Sequence, residues 1–187
     1  MIGKTIIGLM LALVVLAGSA AVAQDGNVAK GFSLSAGAYR PTQSSARDNL
    51  GSTWLDIRLG YKMGENEMAD QEVAIGWIGA EGETIGGVDT DARMIPLTYS
   101  YRTRPKADSK FYYGAGIGAY FTKVENINGA GVVTSGVDES KTKAGLQGLV
   151  GFMVSDKISV EAGYTAIMGK VQDQNLSGFS LSLRGTF

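Results

Sequence analysis

The strongest constraint on this chain is a two-residue period. Its last ten residues read GFSLSLRGTF, with Phe179, Leu181, Leu183 and Phe187 on one parity and Ser180, Ser182, Arg184 and Thr186 on the other. An extended strand turns that spacing into one apolar and one polar face. Seven earlier segments repeat it. Residues 31–40 align Phe32, Leu34, Ala36 and Ala38, and residues 53–61 align Leu55, Ile57, Leu59 and Tyr61 with Asp56 and Arg58 opposite. Residues 72–80 offer Val73, Ile75 and Trp77, and residues 93–102 offer Ile95, Leu97, Tyr99 and Tyr101. Residues 111–121 place Tyr113, Ala115, Ile117, Ala119 and Phe121 together, and residues 158–166 do the same for Ile158, Val160, Ala162, Tyr164 and Ala166. Only 145–154 leaves its parity open, because Leu146, Val150 and Phe152 compete with Leu149 and Met153. Segments of roughly 9–11 residues suit tilted strands crossing a bilayer.

The connectors carry a second pattern. Gaps at 62–71, 103–110 and 155–157 fall on the side of the C-terminal Phe187, and gaps at 41–52, 81–92, 122–144 and 167–177 fall on the far side. The near-side gaps are shorter on average and the longest gap is on the far side, as expected of periplasmic turns and outer loops in an outer-membrane barrel. The first near-side gap, KMGENEMADQ, is longer than this rule favours.

The N-terminus indicates export. In residues 1–23, Lys4 precedes an apolar run from Ile6 to Ala17, and Ala21 and Ala23 stand at the small-residue positions of a cleavage site. The run is short for a spanning anchor, so a signal peptide cleaved after Ala23 is expected, leaving one domain over 24–187. Of 17 basic and 18 acidic residues, only Lys4 lies in the leader. The mature domain is thus slightly acidic and lacks the basic footprint of a nucleic-acid binder. There is no cysteine, so the secreted domain relies on its fold and not on disulfides.

The polar parity decides which face is inside. It is rich in glycine and serine (Gly114, Gly116 and Gly118; Ser180 and Ser182) and poor in lysine and glutamate. A water-facing sheet carries more charge than this, whereas small polar side chains suit the crowded lumen of eight strands. Tyr61, Tyr101, Tyr113 and Phe187 at one rim, with Trp77, Phe121 and Phe179 at the other, match two interfacial girdles. The apolar parity is therefore expected to face lipid, in an all-β, eight-stranded antiparallel up-and-down transmembrane barrel.

On these residues, and on the terminal LSLRGTF, the chain over 28–187 resembles the small eight-stranded outer-membrane barrels of the OmpA/OmpX/OmpW type. The resemblance implies a home in the outer membrane of a diderm bacterium, contact with outer-membrane lipid, and delivery by periplasmic chaperones to the barrel-assembly machinery. It implies that Phe179, Leu181, Leu183 and Phe187 serve as the assembly signal; Gly185 departs from the pattern, where an apolar or aromatic residue is usual. No peptidoglycan-binding domain is expected after the barrel.

Catalysis is not expected. With no histidine and no cysteine, a Ser–His–Asp arrangement, a thiol nucleophile and histidine zinc ligation are all excluded, and no strand carries a placed carboxylate pair. No cofactor or metal is expected. The more informative constellation is four charges on the inward parity: Asp56 and Arg58, Glu161, and Arg184. Glu161 and Arg184 are each three residues from the short-turn end of neighbouring strands, so they can pair at similar depth. A salt-bridged plug is favoured over a charged gate, since eight strands leave little free lumen. Gln147 and Tyr120 could extend the network.

Two connectors remain. EGETIGGVDTD (81–91) is acidic but lacks the spacing of a calcium loop, so a solvated outer loop is expected. Residues 123–143 form either a surface segment contacting an external partner or an extension of two strands above the membrane. NLSG (175–178) is a chance sequon. The expected role is structural or surface-interacting; the alternatives are a narrow channel or carrier for small or apolar solutes, for which Pro96 and the glycines of 111–121 could relax strand pairing, and a soluble ligand-binding barrel.

Overall fold

The computed structural model describes residues 31–65 and 68–187, without the side chains of 64, 65 and 81–84. The expected leader and its cleavage site lie outside the described residues. Eight strands form in order: β1 (Phe32–Pro41), β2 (Trp54–Glu65), β3 (Ala69–Ile85), β4 (Val88–Thr103), β5 (Phe111–Ile127), β6 (Val133–Met153), β7 (Ile158–Ile167) and β8 (Gly178–Thr186). Each pairs antiparallel with the next, and β8 pairs with β1, closing the barrel. Following paired residues from Ser33 through Gly60, Ala74, Thr98, Gly118 and Gly145 leads to Ile167 on the β7 side. Thr186, which pairs with Ser33, donates its amide to the Lys157 carbonyl instead. The circuit therefore returns ten residues out of register, the stagger that tilts the strands of a closed barrel.

The apolar parity faces outward. Leu59, Ile75, Ile117, Leu146 and Leu181 are exposed on that side, with Tyr61, Tyr101 and Tyr113 at one rim and Trp77, Phe121 and Phe179 at the other. The open parity of β6 resolves with Leu146, Val150 and Phe152 outward and Leu149 half-buried within.

Several connectors are shorter than the sequence suggested. The acidic stretch 81–91 is a strand hairpin and not a loop: β3 runs to Ile85 and β4 starts at Val88, joined by Gly86 and Gly87 at φ 60° and 81°. Two consecutive left-handed residues make the tight turn that matches strand twist, and glycine adopts it without a Cβ clash. Residues 122–144 are chiefly an extension of β5 and β6, paired from Glu125–Asp138 down to the membrane. At the other end β2 and β3 continue into the 62–71 gap, with a bulge between Lys62 and Gly64.

The interior was expected to hold small polar residues with a few isolated charges, but its outer half is an apolar core. Tyr39, Trp54, Ile78, Met94, Tyr120 and Val124 project inward there and meet a short helix, α1 (Ser44–Leu50), folded into the mouth. Ala46 and Leu50, one turn apart, are fully buried against them. Trp54 stacks obliquely on Tyr39 at 5.9 Å and donates its indole N–H to the Gly51 carbonyl at 2.8 Å. The Tyr39 hydroxyl donates to the Leu176 carbonyl, tying the β7–β8 connector onto the same core.

This packing predicts that Trp54→Ala lowers the stability of the bilayer-inserted barrel by about 3–5 kcal/mol, the cost of removing a large buried aromatic. Urea titration from lipid vesicles, followed by tyrosine and remaining tryptophan fluorescence, measures it.

Candidate functional site

Below the apolar core the lumen is charged, and strand pleating explains which residues enter it. Inward positions on β2 carry Asp56 and Arg58, on β3 Asp70 and Glu72, on β4 Ser100 and Arg102, on β7 Ser159 and Glu161, and on β8 Arg184. They form two tiers.

The upper tier is local. Asp56 and Arg58, two residues apart on one strand, make a bidentate pair, with Arg58 Nε and Nη2 donating to the two carboxylate oxygens at 2.9 and 2.8 Å. Arg58 Nη1 then donates to Gln147 Oε1 at 3.1 Å, and β2 and β6 stand on opposite sides of an eight-stranded ring. The side chain thus crosses the lumen.

The lower tier joins four strands. Arg102 lies 3.0 Å from Glu72 and 3.1 Å from Glu161. Arg184 lies 2.5 Å from Glu72, and its Nε is 3.9 Å from Glu161. The expected Glu161–Arg184 pair is therefore the longest side of a quartet whose short sides run through Glu72 and Arg102. The register gives the reason: Arg184 stands opposite Ser159, and Glu161 opposite Ser182. Each of the four residues is less than a tenth exposed. Such charges persist in a low-dielectric lumen only when each finds partners. Neutral donors add to the set: Ser33 Oγ to Glu72 at 2.6 Å and the Tyr112 hydroxyl to Glu161 at 2.8 Å. Arg102 also donates to Ser100 Oγ at 2.9 Å. Asp70, 3.8 Å from Arg102 and 3.7 Å from Lys62, links the tier to the nearer mouth.

Glycine on this parity makes room for the network. A Cβ on Gly60 would sit 2.5 Å from the Glu72 carboxyl carbon, and one on Gly151 would overlap the Tyr112 ring. Between the tiers lies a cavity of about 40 Å³ bordered by Ser33, Ser35, Arg58, Gln147 and Arg184, enough for about three waters at one probe sphere each. Above it Tyr39, Trp54 and Tyr120 pack, fully buried, in the apolar core.

Glu72 and Arg102 were not singled out in the sequence because they fall at the edges of their alternating segments. Their parity did carry the signal: Glu72 shares it with Ala74 and Ile78, and Arg102 with Thr98 and Ser100. Tyr120 faces the lumen as expected but belongs to the apolar core. Phe179 and Leu181 are exposed on the lipid face, and Leu183 and Phe187 are half-buried. The Phe187 amide and carbonyl bond to Phe32 and Gly31 at the barrel seam. No cluster suited to a metal occurs among the described residues.

On the outer extension the lipid-facing parity changes character. Asp91, Glu125 and Asp138 stand side by side on β4, β5 and β6, directly above Arg93, Lys123 and Ser140. Glu125 bridges Arg93 at 3.2 Å and Lys123 at 2.5 Å.

A closed eight-stranded sheet with an apolar outer face, two aromatic girdles and a charged, glycine-lined lumen defines a transmembrane β-barrel of the outer membrane. The chain belongs to the outer membrane protein beta-barrel domain family, whose model matches residues 10–187. Among solved structures it is similar to Ail, the attachment invasion locus protein of Yersinia pestis, crystallised with the heparin analogue sucrose octasulfate. That match has a TM-score of 0.56 at 16% identity and covers 84% of this chain and 99% of Ail. It is also similar to Neisserial surface protein A (0.54, 19%, covering 86% and 100%) and to the N-terminal barrel of Pseudomonas aeruginosa OprF (0.54, 12%, covering 84% and 98%). At these identities the likeness is one of fold. No curated protein sequence matches the chain.

The lower tier predicts a marked asymmetry between lumen and surface. Glu72→Gln leaves Arg102 and Arg184 facing a single glutamate and is expected to cost about 3–5 kcal/mol. Arg93→Ala, at the exposed outer rim, is expected to cost at most about 1 kcal/mol. Parallel urea titrations in the same lipid measure both.

Proposed function

We propose that this protein is a non-enzymatic integral outer-membrane barrel with a structural or surface-interaction role, its lumen plugged by the charge network. The observation that carries this reading is the filling of the interior along its length. The quartet of Glu72, Arg102, Glu161 and Arg184 occupies the periplasmic half, and the Tyr39–Trp54–Tyr120 core with α1 occupies the outer half. The space between holds only a few waters. A solute would have to displace both fillings.

The reading extends to biogenesis. The leader is removed after Ala23, and chaperones carry the mature chain to the assembly machinery. That machinery reads Phe179, Leu181, Leu183 and Phe187 on the last strand, whose pairing with β1 closes the barrel.

The surface role rests on the extension of β3, β4, β5 and β6 beyond the membrane. Ail takes a polyanionic heparin analogue, but the carboxylate row of Asp91, Glu125 and Asp138 favours a neutral or cationic partner for this chain.

One observation supports a second reading, a narrow channel or carrier. The β3–β4 ladder passes from Ile75–Leu97 to Ile78–Met94 without bridging Gly76–Pro96 or Trp77–Ile95, and proline lacks the N–H a ladder needs. A lateral opening for small or apolar solutes would use that seam.

Conductance in a planar bilayer separates the two. The refolded wild type is expected to be silent. Arg184→Ala is expected either to conduct or to unfold at lower urea, a loss of about 3 kcal/mol for one broken buried partner. Steady wild-type conductance would overturn the plug.

A further inference from the structure

The periplasmic mouth has a property that neither the plug nor the surface role uses. A vestibule of about 70 Å³ opens there on the barrel axis, between the end of the β2–β3 hairpin, the β4–β5 connector and the β6–β7 turn. Its floor is Arg102 and Arg184, and its walls include Lys62, Arg104 and Lys157. Two carboxylates, Asp70 and Asp156, line it with these five cations. Glu72 and Glu161 lie behind the floor and neutralise Arg102 and Arg184, so the described groups around the vestibule carry one more positive charge than negative.

The lining holds one unused donor on its floor and, on the opposite Asp70 wall, one unused acceptor, Asp70 Oδ1, which keeps an anion to the Arg184 side. Arg184 is only 6% exposed, yet its Nε has no hydrogen-bond acceptor, the Glu161 oxygen standing 3.9 Å away. A buried donor left unmade costs free energy that a correctly placed acceptor recovers. Hydroxyl groups of Ser155, Ser159 and Thr186 line the same space. The volume accommodates about five water-sized groups at one probe sphere each, comparable to one tetrahedral or planar oxyanion. Guanidinium forks and flexible ammonium groups are the donors such an anion selects.

We propose that the periplasmic mouth of the barrel is an oxyanion site that takes a phosphate or carboxylate group presented from the periplasm. The anion sits against the Arg184 side of the floor, and Arg104 and Lys157 close over it from the rim. It inserts no deeper, because the quartet forms the floor.

The test uses the whole barrel in alkyl-maltoside micelles, which bring no phosphate or carboxylate. Inorganic phosphate and acetate are titrated at constant ionic strength against sodium chloride, with amide resonances of 103–104 and 155–159 as the readout. Saturable shifts confined to those residues are expected. In the Arg104→Ala/Lys157→Ala double variant, both changes at rim positions outside the quartet, binding is expected to weaken at least roughly tenfold, as for one lost charge-assisted bond. Shifts that chloride reproduces, that do not saturate, or that persist unchanged in the double variant would overturn the site. A second arm compares nanodiscs of phosphatidylcholine alone with nanodiscs containing phosphatidylglycerol, without added phosphate. The same shifts with the anionic lipid assign the oxyanion to a lipid headgroup, and shifts only on adding phosphate or acetate assign it to a soluble molecule.

Discussion

The architecture depends on a backbone requirement. Within hydrocarbon no water is present to pair a free N–H or C=O, so a sheet can cross only if its last strand finds its first. Here β8 pairs with β1 from Ser33–Thr186 to Pro41–Gly178. Closing eight strands imposes a stagger, and the ten-residue offset tilts them all. The tilt has a chemical consequence. It brings inward positions of strands that never pair to one depth, so Glu72 of β3 meets Arg184 of β8 and Arg102 of β4 meets Glu161 of β7. The ion quartet is a product of barrel closure, and the four residues are distant in sequence for the same reason.

The interior then divides into two materials. Toward the periplasm it is ionic, and its charges are held in pairs beneath a mouth lined by Lys62 and Asp70. Toward the outside it is apolar, built by Tyr39, Trp54, Met94 and Tyr120 with a helix turned in from the β1–β2 connector. The two fillings differ in how they specify structure. Apolar packing tolerates rearrangement of similar volumes, whereas the quartet, with its serine and tyrosine donors, pairs in one arrangement. A slip of one residue in β3 or β8 would turn Glu72 or Arg184 into lipid. Barrel register is therefore guarded from within by charge as well as from outside by the apolar face.

Strand number, face assignment and lipid orientation were legible in the chain because a two-residue period is local information that survives any tertiary arrangement. Where the bilayer stops, so does the period's meaning. Most of residues 122–144 lies beyond the Phe121 girdle, so their strands need no continuous apolar face, and the sequence left extension and loop both open. The acidic 81–91 hairpin looked like a loop for the same reason, although Gly86 and Gly87 carried its turn. Helix α1 gave little sign of itself: seven residues with Ala46 and Leu50 one turn apart, stabilised by a barrel mouth assembled from other strands. Asp56 and Arg58 could be read as a unit because they are two residues apart. The partners of Glu161 and Arg184 could not, since they depend on the stagger, although the parity of Glu72 and Arg102 already placed them inside.

The outer end of the barrel has a definite electrostatic order. Immediately above Ile95 and Phe121 of the outer girdle stand Arg93 and Lys123. One pair further out stand Asp91 and Glu125, with Asp138 beside them. Like charges facing across strands repel, and the consequences differ by residue. Glu125 is held below its ordinary carboxylate range by the hydrogen bond from Lys123, whereas burial, with the Glu125 charge beside it, pushes Asp91 above its own. The row therefore has one firmly ionised member and one that gives up charge more readily. Cations next to the outer aromatic girdle are thus followed, one pair further out on the same face, by carboxylates.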